Sequence, residues 1–246
     1  MIRFGTLCLL LALAIPAAHA ACPDVAVEFM EAAISPAERE RLAQDLREAV
    51  RRVCAFWGPT FAGRLAIDVT DAVPQSMALV PAWRGRPGYI VFPVDAVRRS
   101  RAPVIHEVVH LFAPNGSRFL AEGLAVHVQD RLGGVHVFPN FGRDLDRAAG
   151  RHAGDADIVA LDRLPTPAML QLAGILDRQA AYLASGSFVR YVIEQHGMNK
   201  FRQLYTMTPL VPGRRNPPDP GRWLAVYGVA LDQLAQAWRG RLARAP

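Results

Sequence analysis

His106-Glu107-Val108-Val109-His110 stands inside the apolar run Val104 to Phe112, and its reading decides the fold. The flanks Val104-Ile105 and Leu111-Phe112 are those of a buried helix. Pro103 opens it, and the turn Ala113-Pro114-Asn115-Gly116-Ser117 ends it. On a helix, positions i and i+4 differ by about 40° in azimuth, so both imidazoles leave one face, one turn apart. Two imidazoles so spaced can ligate one zinc ion, and Glu107 beside them can act on a water there as a general base. Taken instead as incidental residues of a core helix, the three side chains would each need a polar partner among apolar neighbours.

A catalytic zinc needs a third protein ligand and an open fourth position. The metzincin spacing is excluded, because Ala113 and Gly116 stand where that pattern has Gly and His. After eleven intervening residues beyond His110 comes Glu122, within Phe119-Leu120-Ala121-Glu122-Gly123-Leu124-Ala125. A second helix is expected from about Phe119 to Leu132, stopped by Gly133-Gly134. A five-residue turn would return it antiparallel to the first and bring the Glu122 carboxylate back toward His110. His127 competes for the same place. It lies about 140° round the helix from Glu122, so only one of the two can face the metal. Glu122 is favoured, which leaves His127 as a partly exposed or hydrogen-bonded side chain.

Toward the N-terminus, Ser35-Pro36-Ala37-Glu38 is a helix start with a capping box. Leu42, Leu46, Val50 and Val53 follow at helical spacing, and Gly58 is a natural stop. Leu65 to Val69 alternates like a half-buried strand. Gly88 to Phe92 is a second strand, after turn residues at 84 to 88, and reads either as an edge offered to an extended peptide or as an ordinary core strand. Toward the C-terminus, residues 134 to 160 are expected as a loop, either covering a cleft or simply disordered. Helices are expected at about 167–176, Gln179 to His196 and Asn199 to Thr206, then an irregular stretch from Arg214 to Arg222 and a last helix from about Tyr227 to Leu242. The fold class is α+β. A small helix-and-sheet layer (21–100) precedes a mostly helical lobe (101–246), with no repeat or linker to separate independent domains.

The first twenty residues resemble an export signal: Arg3, the apolar stretch Leu7 to Ile15, and Ala18-His19-Ala20 as a small-x-small cleavage site. Export to the periplasm or medium is expected, with a mature start at Ala21. An uncleaved anchor and lipidation at Cys22 are the alternatives. Cys22 and Cys54 remain after cleavage and read as one disulfide in an oxidising compartment, or else as two unrelated thiols. The 246 residues are 51% hydrophobic and 20% charged, which excludes a disordered or collagen-like chain. No apolar run beyond the N-terminus is long enough to span a membrane. The formal charge of +6 comes without a nucleic-acid motif, so no nucleic-acid partner is expected.

HEVVH followed by FLAEGLA resembles the gluzincin metallopeptidases, in particular compact peptidase MA-like proteins related to the M1 aminopeptidases. These carry HExxH and then a W/F-L-x-E-G-[FL]-A helix whose Glu is the third zinc ligand. The resemblance covers about residues 100 to 205. It implies a zincin, thermolysin-like lobe, and Zn2+ held by His106, His110 and Glu122 with Glu107 as base. It also implies a peptide or protein substrate. The segment Tyr182-Leu183-Ala184-Ser185-Gly186-Ser187-Phe188 is similar to the stretch in which that family places an oxyanion-stabilising Tyr, a role that would fall to Tyr182. The chain departs from the M1 pattern in three ways. The gap before Glu122 is eleven residues rather than eighteen, Tyr182 is four residues before Gly186 rather than three, and no GxMEN-type strand occurs. Val126 stands where thermolysin-like enzymes have an acid. The rival reading is a non-catalytic envelope binding or scaffold protein with the same fold and a structural or vestigial zinc site.

Overall fold

The computed structural model describes residues 21–80, 88–133, 136–152, 157–164, 178–211 and 216–244. The export signal, most of the turn at 84 to 88 and the helix expected over 167–176 lie outside them.

Strand β1 (Val25–Ala32) leads into helix α1 (Pro36–Trp57), followed by β2 (Gly63–Thr70), β3 (Met77–Leu79) and β4 (Gly88–Pro93). The expected capping box forms: the Ser35 hydroxyl accepts from the Glu38 N–H, and the Ser35 N–H donates to the Glu38 carboxylate at 2.8 Å. Gly58, at φ 112°, ends the helix. Apolar spacing sends Leu42, Leu46, Val50 and Val53 into the core. Cys22 and Cys54 are joined in a disulfide, which ties the segment before β1 to α1.

The sheet order is β1-β2-β4-β3, with β1-β2 and β2-β4 parallel and β3-β4 antiparallel. Two strands were thus not expected from the sequence. Of the two readings of Gly88 to Phe92, the edge is corrected and the core strand holds: β4 pairs on both sides, and the sheet's edges among the described residues are β1 and the three-residue β3. A bulge in β1 between Phe29 and Glu31 is filled by Asp68, whose carboxylate accepts from the Glu31 N–H at 3.0 Å and from the Tyr89 hydroxyl.

Beyond the sheet come α2 (Val94–Arg98), α3 (Val104–Phe112) and α4 (Arg118–Arg131), then α5 (Leu145–Gly150), α6 (Ile158–Asp162) and α7 (Arg178–His196). The chain continues through α8 (Met198–Thr206), α9 (Gly221–Tyr227) and α10 (Leu231–Leu242). The expected 134–160 loop therefore contains two short helices. The expected last helix is α10, which starts at Leu231 rather than Tyr227. Before it, the unexpected short helix α9 ends at Gly228 in the left-handed conformation at φ 71°. One continuous core joins both parts. It runs from Ile67 and Phe92 of the sheet through Val50 of α1, Val108 and Phe112 of α3 and Leu124 of α4 to Phe188 of α7. The architecture is α+β, as expected. No helix among the described residues is long and apolar enough to cross a membrane.

Candidate metal centre

Helix α3 is buried over nearly its whole length, and His106, Glu107 and His110 are each less than a tenth exposed. The next helix starts where Ser117 caps it through the Leu120 N–H. The turn between α3 and α4 is pinned from outside. Asn115 donates to the Tyr205 carbonyl at 2.7 Å, and its own carbonyl accepts from Ser117 N–H at 2.8 Å and from the Thr208 hydroxyl at 2.9 Å. The Tyr205 hydroxyl donates to the Ala113 carbonyl at 2.7 Å. Helix α8 thereby fixes how α4 returns along α3.

That return brings Glu122 to the two histidines. Nε2 of His106 lies 3.1 Å from Oε2 of Glu122, and Nε2 of His110 lies 3.4 Å from the same oxygen. Ligating atoms of these three residues all lie within 4.8 Å of one another. Two imidazole nitrogens and one carboxylate oxygen, buried and convergent, are a donor set suited to zinc. Among the described residues no other group of three such side chains converges in this way.

Arg118 was not anticipated from the sequence. It stands one turn before Glu122, and its Nε approaches Oε1 at 3.0 Å without the alignment of a hydrogen bond. The i, i+4 spacing was visible, but nothing local marked it as important. Burial alone would raise the Glu122 pKa. The charges of His110 and Arg118 and the bonds to both imidazoles outweigh it and hold the carboxyl well below its ordinary value. Glu107 takes the opposite course. Burial, with the Glu122 charge adding to it, pushes it up to about 7, although His106, Arg118 and the backbone of Ala78 pull the other way.

Tyr182 of α7 sits in the same cleft, its ring stacked 6.4 Å from that of His106. Burial raises the phenol pKa, so it stays protonated near neutral pH. The cleft encloses about 400 Å³ and is bordered by β3 and the Pro74-Gln75-Ser76 segment before it, and by Val137 and Phe138 of the expected covering segment. A second cavity, of about 230 Å³ between α1 and the start of α3, contains none of the site residues. His127 is not part of the site. It is buried rather than partly exposed, and among the described residues neither ring nitrogen has a hydrogen-bond partner. That corrects the expectation for this side chain.

No protein-family model matches the chain, and no curated protein matches it. Solved structures of an M1 zinc metallopeptidase from Deinococcus radiodurans are similar to it in part. A mutant bound to a Tyr-Ser-Ala substrate aligns at 16% identity and a TM-score of 0.45, covering 78% of this chain and 43% of that one. The same mutant without the substrate aligns at 16% and 0.45, covering 87% and 46%. The chain thus spans less than half the length of these structures.

Proposed function

We propose that this protein is a zinc-dependent hydrolase of peptide bonds, exported by a leader over residues 1–20 and acting in the periplasm or outside the cell. The reading rests on one observation: two imidazole nitrogens and a carboxylate oxygen from neighbouring helices meet in a buried cluster at the wall of a cleft. His106, His110 and Glu122 would hold the ion. Zinc supplies, when bound, Lewis acidity that polarises a carbonyl and makes water easier to deprotonate. Glu107 performs the proton transfer. Buried beside the two imidazoles, it would take a proton from water and return it to the leaving amine. Tyr182, kept as a neutral phenol, donates to the negative oxygen of the tetrahedral intermediate. Arg118 is a positioning residue, for it holds Glu122 ionised and in place. The outer edge of β3, which has no strand neighbour among the described residues and carries the half-exposed Leu79, offers main-chain pairing to an extended peptide.

The test is metal analysis of the purified protein together with a broad peptide-cleavage screen. Zinc near one equivalent and cleavage abolished by a chelator and restored by zinc are expected. Glu107→Gln is expected to keep the zinc and lose on the order of a thousandfold in turnover. Unchanged turnover in that variant removes Glu107 from the mechanism, and zinc-loaded protein that cleaves nothing removes the peptidase reading.

A further inference from the structure

We propose that the cleft is built to receive a carboxylate, so that the preferred peptides carry an anionic group close to the bond that is cut. The inference deepens the hydrolase reading and rests on it.

The charges lining the cleft are uneven. The only carboxylate residues among those described as lining it are Glu107 and Glu122, against the arginines Arg101, Arg118 and Arg178. A divalent ion would add two more positive charges. Glu122 is already engaged on both oxygens, one facing Arg118 and the other the two imidazoles. Arg101 and Arg178 have no carboxylate partner among the described residues. Arg101 lies just past α2, where its backbone N–H donates to the Ala96 carbonyl at 2.7 Å and orients the segment. Arg178 opens the described part of α7. Its guanidinium carbon lies 5.0 Å from the centre of the Phe138 ring and 5.9 Å from that of Tyr182.

An unpaired surface arginine is ordinary by itself. Two features set this pair apart. The stacking of Arg178 holds its guanidinium against two aromatic rings of the cleft wall, and no ion pair among the described residues engages it. The cleft also lacks the group that the opposite preference would require: recognition of a free amino terminus needs a spare carboxylate, and no such acid lines it among the described residues. Guanidinium forks match carboxylates bidentately, which gives geometric selection as well as charge. Without the leader and its Arg3 the formal charge is 27 − 22 = +5, a field of the same sign that favours approach of anions.

The test uses one short peptide in four forms, with Glu or Gln as the penultimate residue and a free or amidated C terminus. Binding to zinc-loaded Glu107→Gln protein is measured by calorimetry, and turnover by zinc-loaded wild type is measured in parallel. At least one anionic form should bind roughly tenfold more tightly than the doubly neutral form, the scale of one charge-assisted hydrogen bond. Whichever substitution removes that gain identifies a terminal or a side-chain carboxylate as the recognised group. Arg178→Gln and Arg101→Gln should each shrink the ratio between anionic and neutral forms, as should raised salt. Equal affinity for all four forms, or tighter binding of the neutral one, overturns the inference. Should Glu107→Gln fold poorly, uncleavable N-methylated versions of the four peptides put the same question to wild type. A charge preference in binding without any cleavage would leave this inference standing and remove the hydrolase reading instead.

Discussion

Five residues apart on α4, Glu122 and His127 are both almost wholly buried, at 1% and 2% exposure, in opposite company. Glu122 meets two imidazoles and a guanidinium. His127 meets the edge of the Phe56 ring at 6.1 Å, and no hydrogen-bond partner for either nitrogen among the described residues. Each is driven to one protonation state. Partners keep Glu122 charged, and their absence keeps His127 neutral: burial, aided by the charges of Arg131 and Arg190, lowers its pKa from 6.5 to about 4. The lesson concerns burial of polar groups. A charge buried with compensation on every side marks a built site, whereas an imidazole buried without it is a packing element that costs stability when protonated.

The largest effect is expected where the compensated cluster is broken. Glu122→Ala removes a ligating oxygen and strips Arg118 of its counter-charge. It should weaken zinc binding by more than about a hundredfold, since even supporting residues around a metal are worth 10- to 100-fold. Competition against a chelating dye measures this. Retention of full zinc affinity would mean that another group, with His127 the first suspect, takes the third position, and the contrast between the two residues would dissolve.

The uncompensated side of the contrast has its own signature in acid. The folded pKa of His127 lies below the unfolded value, so the unfolded chain takes up a proton below pH 6.5 that the folded chain refuses until about pH 4. Stability from this group is complete above pH 6.5, drains as pH falls through the window from 6.5 to 4, and levels off below it. At 1.36 kcal/mol per unit, the loss is about 3 kcal/mol. Urea midpoints across pH 4 to 7.5, compared between wild type and His127→Leu, isolate this contribution from the other acids. The variant should be at least as stable at pH 7 and lose less in acid. Parallel pH curves for the two proteins would show that His127 is not buried neutral.

Much of this was legible in the sequence, for reasons that differ from residue to residue. The start of α1 was readable because its capping box lies within four consecutive residues. His106, Glu107 and His110 were readable because helical spacing alone puts them together. Glu122 needed an assumption about the turn, and the assumption held because Asn115 and Tyr205 secure it. What escaped depended on distant chain. β3 is three residues long and becomes a strand only through pairing with β4. β1, with Val25, Val27 and Phe29 less exposed than the residues between them, alternates as a strand, but the bulge between Phe29 and Glu31 breaks the pattern within it. Phe138 and Arg178 reach the cleft from segments with no local mark of it. The role of Arg118 appears only once Glu122 is known to be buried against two histidines.

The smallest expected effect tests what holds both residues in place. Between them on α4 lies Gly123, where an added Cβ would meet the Ser185 carbonyl oxygen and Cγ2 of Val189, each at 2.7 Å. Across the same seam a Cβ on Gly186 would meet Cγ1 of Val126 at 2.3 Å. Helices α4 and α7 thus approach at paired glycines, and the first of them is the neighbour of Glu122. Two effects compete in Gly123→Ala. Alanine is the better helix former by about 1 kcal/mol, and the overlap with the α7 backbone costs about 1–3 kcal/mol. Because the Ser185 carbonyl cannot rotate aside as a side chain would, the second should win, leaving a net loss of roughly 1 kcal/mol. Weaker zinc binding should accompany it as Glu122 is pushed off its partners. Gly240 on α10 is the control, since its Cβ would meet only a flexible Arg244 nitrogen at 3.5 Å, and alanine there should stabilise. If urea melts show both variants gaining stability alike, propensity alone governs these positions, and the close approach of α4 and α7 is not what sets Glu122 against the histidines.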